Sequence, residues 1–317
     1  MPSLRIMTYN VRYFSHVTRG LASTARAMSG IARAIAALEP LPDIICLQEV
    51  ETASLRANVA HRRAAPDDTQ LSRLMALLHA AIAAAGKSDA YAAYYFPAHA
   101  YRLRSLNLYT TGLAILAHQD FSVAHHNAGE PYDITHRRLR AIRGWKQTRI
   151  SAHLRFQHKS GDTVDIFNTH LSLPASFTRK FWLGRERMGW GDNQLEEAKN
   201  LARFIDAEKA SDRFVVVGDF NALPDSPVYR YLAEEVGLRD GFRRLVSVDE
   251  RKWPTAGFLN LRMHLDHLFA GPEIEWVDLD GSRPFGERSS SFHGLSDHVP
   301  LIARCRVNGA AATEIAQ

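Results

Sequence analysis

The sequence is poor in cysteine and has no long hydrophobic run. Its 317 residues include only two cysteines, Cys46 and Cys305, and neither has the CxxC or Cys/His neighbours of a zinc site. No stretch approaches the roughly 18 uninterrupted apolar residues that a membrane span requires, and the N-terminal segment lacks the apolar core of a secretory signal. We therefore expect buried, reduced thiols in a soluble, cytoplasmic protein.

Motifs of several other enzyme classes are missing as well. The sequence has no Gly-rich phosphate-binding loop of the P-loop type, and it has no G-x-S-x-G nucleophile elbow, which argues against a serine hydrolase. The pairs His125-His126 and His264-x-x-His267 have no accompanying ligands at the spacing typical of zinc sites. We interpret these four histidines as solvated or structural.

The overall composition is that of an ordinary globular protein, with 46% hydrophobic and 23% charged residues. It excludes collagen, a coiled coil and wholesale disorder. The 39 Lys+Arg residues exceed the 34 Asp+Glu residues and give a net charge of +5. A surface of this sign mildly favours polyanionic partners, although the excess is too small to identify one.

Strand-like runs and helical periodicities alternate along the chain, without an internal repeat or a low-complexity linker. Residues 4–9, 43–50 and 213–218 are typical of strands, and residues 71–85 and 195–210 have apolar positions at helical spacing. This mixture predicts an α/β protein of stacked sheets and helices. We predict one domain over residues 1–307 and a frayed C-terminal tail over residues 308–317.

Polar side chains lie at the ends of many of the predicted strands. They are Asn10, Glu49, His170, Asp219, Asn221, Asp266, Asp297 and His298. Taken singly, each has an ordinary explanation, such as a solvated glutamate, a hydrogen-bonded structural histidine or a turn-forming Asn or Asp. Together they indicate a functional site, because strand ends present side chains from a rigid base.

Two segments are unusually basic. Residues 134–161 contain no acidic residue but include Arg137, Arg138 and Arg149; they form either a solvated basic face or a contact surface for a polyanion. Residues 177–190 interleave aromatic residues, among them Trp182, with arginine and lysine. This second segment is either an amphipathic helix with its rings packed inward, or a loop whose rings stack on bases or enter a lipid interface.

Six short runs carry a family resemblance. MTYN, LQEVE, NTHL, GDFNALPDS, LDHLF and SDHVPL occur between residues 7 and 301 in the order found in the endonuclease/exonuclease/phosphatase superfamily. The chain thus resembles deoxyribonuclease-I-like enzymes, a group that includes sphingomyelinases, inositol-polyphosphate phosphatases and poly(A) deadenylases. The resemblance implies a four-layer α/β/β/α sandwich with two central, mainly antiparallel sheets and the site at their shared edge.

The resemblance also implies a metal-dependent hydrolase of phosphoesters. A phosphoester is anionic and repels a nucleophile, so a hard divalent ion such as Mg²⁺ or Mn²⁺ is expected to neutralise the developing charge. Mg²⁺ prefers one or two carboxylates, several waters and the substrate phosphate. By this likeness, Glu49 is the first-choice ligand, Asn10 supports it, and Asp297 lies at the metal or just behind it.

The remaining motif residues acquire catalytic roles by the same likeness. Asp219 is expected to orient or deprotonate the attacking water, and Asn221 to hold that water or a phosphoryl oxygen. His298 is expected to contact the scissile phosphate while Asp266 binds its other ring nitrogen. His170 is expected to donate to a phosphate oxygen or to assist the leaving group. Which of the two histidines acts as the acid stays open.

The substrate is a weaker prediction than the reaction. Abasic-site endonucleases usually carry Asn or Asp two residues after the first Asn, and Tyr in place of the first His. This chain has Arg12 and His170 there. We favour a nuclease that uses Arg149, Arg137, Arg138 and Trp182 to bind nucleic acid. A phospholipid (sphingomyelinase-like) or inositol-phosphate hydrolase is the alternative, a non-catalytic binding module is a third, and no protein partner is implied.

Overall fold

The structure is a computed structural model that describes residues 3–12, 21–54, 69–103, 106–136, 148–157, 161–174, 187–247, 249, 252–258 and 260–307. Arg137, Arg138, Trp182 and the expected C-terminal tail, residues 308–317, lie outside the described residues. None of the described helices has the length and apolar character that crossing a membrane requires. Cys46 and Cys305 are both free and buried, as expected.

The elements alternate along the chain much as the periodicities predict. The strands are β1 (Ser3–Asn10), β2 (Ile44–Ser54), β3 (Tyr91–Leu103), β4 (Leu106–His118), β5 (Ser122–His126), β6 (Tyr132–Asp133), β7 (Ile150–Gln157), β8 (Thr163–His170), β9 (Phe214–Asp219), β10 (Arg239–Asp240), β11 (Ala256–Phe258), β12 (Leu261–Met263), β13 (Asp266–Ala270), β14 (Ile274–Asp278) and β15 (Leu301–Val307). The helices are α1 (Leu21–Ala36), α2 (Gln70–Ala84), α3 (Asp192–Glu208), α4 (Pro227–Arg230) and α5 (Gly241–Leu245), and a π-helical turn, Tyr231–Glu235, follows α4.

The long strands form two sheets. The first has the order β14-β15-β1-β2-β4-β3, and the second has the order β10-β13-β9-β8-β7-β5, with β6 beside β7. Only the β1–β2 and β8–β9 pairs are parallel in these sheets; the other described pairs are antiparallel. The predicted fold class, with two mainly antiparallel sheets, is therefore confirmed.

Three apolar layers hold the sheets and helices together. One layer lies between the sheets and includes Ile6 and Val217. A second packs α1 and α2 against the outer face of the first sheet, and a third packs α3 and α4 against the outer face of the second. Each sheet is thus apolar on both faces, as expected for sheets covered on both sides.

The faces that meet between the sheets change from apolar to polar at one end of the strands. Side chains two residues apart share a face of a strand. In β9, Val215 and Val217 face the inter-sheet layer, so Asp219 continues the same face. The same alternation puts Ile6 and Asn10 of β1 on one face. The polar end of the layer is where the candidate residues meet.

Gly218 allows two of these strands to come close. It has a φ of +148°, and a Cβ there would lie 2.0 Å from the carbonyl oxygen of Thr169 in β8. A side chain at this position would push β9 away from β8. Because glycine occupies it, Thr169 pairs with Gly218 and His170 with Asp219 in the parallel register.

A buried amide pair connects the two sheets beside this polar end. Gln48 Nε2 in β2 donates to Asn168 Oδ1 in β8 at 2.8 Å. Asn168 Nδ2 in turn donates to the carbonyl oxygens of Leu47 at 3.1 Å and Ala114 at 3.2 Å. Both amide side chains are fully buried. The pair therefore fixes how the first sheet lies over the second.

Substituting Asn168→Ala should destabilise the protein strongly. The change removes one acceptor of Gln48 Nε2, which keeps its bond to Thr8 Oγ1 at 3.0 Å, and it removes the donor to two backbone carbonyls in a site closed to water. The loss costs on the order of 1–3 kcal/mol of unfolding free energy. Urea unfolding followed by circular dichroism measures this. The exposed Gln119→Ala substitution, which removes a single 3.5 Å contact to the Ser88 carbonyl, serves as the control. Equal midpoints for the two variants would contradict the proposed bridging role.

Candidate active site

The site lies where strands of both sheets end. In the second sheet, His170 of β8 pairs with Asp219 of β9, and Asp219 pairs on its other side with Asp266 of β13. The first sheet contributes Asn10 at the end of β1 and Glu49 in β2. The topology thus collects residues that are more than 200 positions apart in the sequence into one cluster.

Asn10 connects the carboxylates of the two sheets. Its Nδ2 donates to Asp219 Oδ2 at 2.9 Å and to Glu49 Oε1 at 3.2 Å. Its Oδ1 accepts a hydrogen bond from the Arg12 backbone N–H at 2.9 Å. The amide therefore holds two negative groups close together and satisfies part of their hydrogen-bonding capacity.

Two site residues occupy the left-handed backbone region, which side chains other than glycine rarely adopt. Glu49 has a φ of +56° and Asn221 a φ of +48°. Glu49 lies at a register shift between β2 and β4, where a bulge re-aims its side chain. Asn221 donates its backbone N–H to Asp219 Oδ1 at 2.9 Å and its Nδ2 to the Leu171 carbonyl at 2.9 Å. Strained conformations of this kind are typical of functional sites.

His298, just before β15, and Asp266 of β13 form a buried pair. His298 Nδ1 lies 2.8 Å from Asp266 Oδ2, and its Nε2 lies 3.7 Å from Asp219 Oδ2. The Ser296 hydroxyl accepts from the His298 backbone N–H at 3.3 Å and donates to the Asn10 carbonyl at 2.8 Å. The ring is therefore oriented at both its backbone and its Nδ1, with Nε2 directed toward Asp219.

His170 completes the group from the other side. Its Nε2 lies 3.5 Å from Asp219 Oδ2 and 3.9 Å from Glu49 Oε1. Beside it, a small cleft is lined by Thr111, Thr148 and Arg149. Arg149 Nε donates to the Ser172 hydroxyl at 3.3 Å. A cation thus lies at the edge of the site next to His170.

Burial and neighbouring charges give the site residues distinct protonation preferences. Burial raises the pKa of Asp219 to about 7, against the opposing charge of His298 and with a contribution from Asp266. Burial disfavours the charged ring of His298, but Asp266 and Asp219 outweigh it and raise the pKa to about 9. Burial, Arg149 and His298 all lower the pKa of His170 well below its ordinary value. At neutral pH, His298 is the charged imidazole and His170 the neutral one.

Asp297 lies at the rim. Its carboxylate forms an ion pair with the Arg12 guanidinium, and both side chains are partly exposed. Asp297 Oδ1 also lies 3.4 Å from the Ser296 hydroxyl. The carboxylate is thus adjacent to the cluster and balanced by a cation.

The donor set can hold a hard cation. Glu49 is partly exposed, and its Oε1 accepts from Asn10 Nδ2 at 3.2 Å. Asp219 supplies a further carboxylate, and oxygen donors are those that Mg²⁺ and Mn²⁺ prefer. Among the described residues, Asp219, Asp266 and His298 also bring their ligand atoms within 4.8 Å of one another.

The structure brings together most of the residues that the sequence singles out. The cluster contains Asn10, Glu49, His170, Asp219, Asn221, Asp266 and His298, with Asp297 and Arg149 at its edge. Sequence reasoning did not find the residues that support them. Glu197 is one: it is fully buried and accepts from the Ser172 hydroxyl and N–H at 2.7 and 2.8 Å. A buried glutamate at helical spacing has no local signal that separates it from a solvated one.

Asp266→Asn should lower the pKa of His298. The amide removes the charge that does most to raise this pKa, while the burial that opposes protonation remains. The metal-free protein can be titrated by NMR of its imidazole nitrogens. His298 of the wild type should lose its proton well above pH 7, and that of the variant nearer to neutrality or below. Asp278→Asn, which removes a carboxylate paired with Arg304, should leave the titration unchanged; an unchanged pKa in Asp266→Asn would contradict the pairing.

Solved structures of similar fold come from several proteins. The catalytic domain of human Nocturnin, solved with a bound sulfate, is 20% identical; the alignment covers 97% of this chain and 94% of that one, with a TM-score of 0.60. ANGEL2, a 2′,3′-cyclic phosphatase in complex with adenosine-2′,3′-vanadate, is 16% identical, with coverages of 97% and 96% and a TM-score of 0.58. A mannosyl-6-phosphatase of Bacteroides thetaiotaomicron is 15% identical, with coverages of 96% and 99% and a TM-score of 0.57.

These likenesses show a shared fold, and at such identities they show no more than that. No curated protein matches the chain by sequence. The model of the Endonuclease/Exonuclease/phosphatase family, however, matches residues 7–298, a range that includes every residue of the cluster. The chain therefore belongs to the endonuclease/exonuclease/phosphatase family of phosphoester hydrolases.

Proposed function

We propose that the protein is a divalent-metal-dependent phosphodiesterase that cleaves nucleic acid by attack of water on phosphorus. The observation that carries the proposal is the arrangement around Asp219. Its Oδ2 lies 3.5 Å from His170 Nε2 and 3.7 Å from His298 Nε2, and it accepts from Asn10. A proton acceptor between two imidazoles, beside a carboxylate that can bind a cation, has the groups that water attack on a phosphoester requires.

Glu49, supported by Asn10, would hold the metal ion. When bound, a divalent cation polarises the phosphoryl oxygen and offsets the negative charge that develops there. Glu49 meets this need because its carboxylate is partly exposed at the mouth of the site while its backbone is fixed at the bulge. Asp297 balances Arg12 at the rim and could contact the hydrated ion.

Asp219 is the proposed base. A carboxylate with a raised pKa is a stronger proton acceptor at neutral pH than an ordinary aspartate. Its Oδ1 is occupied by the Asn221 N–H, so Oδ2 is the atom that faces the two histidines and can receive a proton from water. Asn221 fixes the carboxylate through its backbone N–H, and its side chain would contact the nucleophile or a phosphoryl oxygen.

The two histidines would have different catalytic roles because they differ in charge. His298, protonated and oriented by Asp266, can stabilise the developing charge and donate a proton to the leaving oxygen. His170, kept neutral by burial and by Arg149, can donate a hydrogen bond to a phosphoryl oxygen without adding a second positive charge. This assignment makes His298 the acid.

Nucleic acid is favoured as the substrate class by positive charge near the site. Arg149 lies in the cleft beside His170, and the surrounding segment, residues 134–161, has no acidic residue. Proteins that bind nucleic acid use such cations to neutralise successive phosphates. A phospholipid or inositol-phosphate hydrolase is the alternative, and an assay with substrates of each class distinguishes them.

Asp219→Asn and His298→Gln should each reduce turnover by at least about a thousandfold, because each removes one proton-transfer group. Purified protein is assayed with Mg²⁺ or Mn²⁺ against plasmid DNA, single-stranded DNA, RNA, sphingomyelin liposomes and inositol phosphates, with EDTA as the blank. Asp206→Asn, an exposed carboxylate on α3, is the matched control and should retain full activity. Wild-type activity in either site variant would refute the proposed site, and turnover of lipid or inositol substrates alone would refute the nuclease.

Arg149→Ala should weaken binding of single-stranded DNA in EDTA and reduce the slope of log affinity against log salt by about 1, since one phosphate contact is lost. Changing Arg137 and Arg138 together to Ser should reduce the slope further. Arg203→Ala, an exposed arginine on α3 that hydrogen-bonds Asn200, should leave the slope unchanged. Fluorescence anisotropy between low and physiological salt measures all three. An unaltered slope in the first two variants would show that these arginines belong to a solvated face.

A further inference from the structure

A second group of potential metal ligands lies on the outer face of the second sheet, away from the active-site cluster. His125 of β5, His153 of β7 and Glu208 at the end of α3 each offer one ligand atom, and these atoms all lie within 4.8 Å of one another. Sequence reasoning treats His125 as solvated or structural because no ligand stands near it in the chain. The fold supplies the other two from residues 28 and 83 positions further on.

His153 is the fixed member of the group. It is fully buried, its ring stacks on Phe167 with centroids 4.5 Å apart, and Phe204 contacts its edge. His153 Nε2 lies 2.8 Å from Asp165 Oδ1. A carboxylate can only accept, so His153 carries its proton on Nε2 and presents a lone pair at Nδ1.

That lone pair has no hydrogen-bond partner among the described residues. His153 Nδ1 is enclosed by protein and receives no donor, although buried polar atoms are nearly always satisfied. Asp165, by contrast, also accepts from Arg155 Nε at 2.8 Å and from the Ala210 N–H at 2.8 Å. The hydrogen bonds of Asp165 thus hold the His153 ring in one orientation. Within the described part of the chain, its basic Nδ1 contacts neither a hydrogen-bond donor nor solvent.

Histidines that bind metals usually donate one ring N–H to a carboxylate, which fixes the tautomer and leaves the other nitrogen available for the metal. The Asp165–His153 pair has this arrangement. The two further ligands are placed to close around an ion. His125 is exposed and Glu208 is half-buried, so both can move inward by the small amount needed to reach the roughly 2.0–2.2 Å bonds of a zinc site. The end of α3 adds the negative pole of the helix dipole.

We propose that His125, His153 and Glu208 form a binding site for a divalent transition-metal ion of the Zn²⁺ class, separate from the catalytic centre. Two imidazoles and one carboxylate select Zn²⁺ and its neighbours over Mg²⁺, which prefers oxygen ligands. Water completes the coordination. The ion would connect the edge strand β5, its neighbour β7 and the end of α3. Its role would be to stabilise the edge of the second sheet.

The site lies apart from the proposed chemistry. His153 pairs with Phe167 in β8, and Phe167 belongs to the apolar layer under α3. His170 extends from the inner face of the same strand three residues later. Occupation of the outer site therefore has no direct contact with the catalytic cluster, and it can be tested without any assay of activity.

Cobalt provides the test, because Co²⁺ bound by imidazole has a visible absorption spectrum and substitutes for Zn²⁺. The full chain is titrated with Co²⁺ in excess Mg²⁺, which competes for oxygen-rich sites. We expect one Co²⁺ band in the wild type and in Glu49→Gln, whose altered residue belongs to the catalytic site. In His125→Ala and Glu208→Gln the Co²⁺ affinity should fall at least about tenfold. Zn²⁺ should raise the unfolding temperature of the wild type and of neither ligand variant.

His126→Ala is the matched control, since it removes the adjacent exposed histidine and leaves the three ligands intact. It should retain the wild-type Co²⁺ affinity. His125 is exposed, so its substitution should preserve the fold, which circular dichroism verifies. Unchanged Co²⁺ binding in both ligand variants, or no band in the wild type, would overturn the proposal. Loss of the band in Glu49→Gln would instead assign the ion to the catalytic cluster. Failure of the nuclease proposal alters none of these results.

Discussion

The active-site cluster depends on the register between the two sheets, because neither sheet contains it alone. Two buried hydrogen-bonded pairs cross from one sheet to the other at the same end of the strands, Gln48 with Asn168 and Asn10 with Asp219. The segment before β15 adds His298, which pairs with Asp266 of the second sheet. The Gln48–Asn168 pair has no ionisable group, so it can hold the sheets at any pH, whereas each of the other two pairs includes a titratable side chain. Apolar packing contributes the free energy that holds the sheets together, but it is non-directional and does not fix the position of one sheet relative to the other. Directional hydrogen bonds between amide side chains, such as those of Gln48 and Asn168, fix that position.

The electrostatics of the site follow from how many carboxylates the sheets bring together. Asp219 and Asp266 lie on adjacent strands at paired positions, and Glu49 is connected to them through Asn10. Burying negative charges together is costly unless cations or protons compensate. One proton on His298 and a raised pKa at Asp219 supply part of that compensation. A divalent cation at Glu49 would supply more, and it would stabilise Asp219 in its charged form. The same crowding of carboxylates would favour binding of a divalent cation.

Local signals predicted an α/β mixture and the strand ends, whereas the sandwich of two mainly antiparallel sheets came from the family resemblance. The run RFVVVG followed by Asp219 has the composition of a buried strand, and its final glycine and aspartate break the apolar pattern. Other features have no local signal. Gln48 and Asn168 look like any polar residues within apolar runs, and only pairing across 120 positions makes them a bridge. Glu197 has the helical spacing of a solvated residue yet is buried under Ser172. The short strands β6 and β10 contain two residues each, too few for any periodicity.

The two faces of β7 and β8 illustrate why the spacing of histidines misleads. Adjacent His125 and His126 suggest a pair, but in β5 neighbouring side chains point to opposite sides, and the partners of His125 come from another strand and a helix. His170 faces the layer between the sheets, where the carboxylates of the cluster surround it. His153 faces α3, where Asp165 fixes its tautomer and no donor from the described part of the chain reaches its Nδ1. Each histidine acquires its chemistry from the layer that it faces. One sheet can therefore support a reactive cluster on its inner face and a metal-binding group on its outer face without mutual interference, because the apolar side chains of the strands separate them.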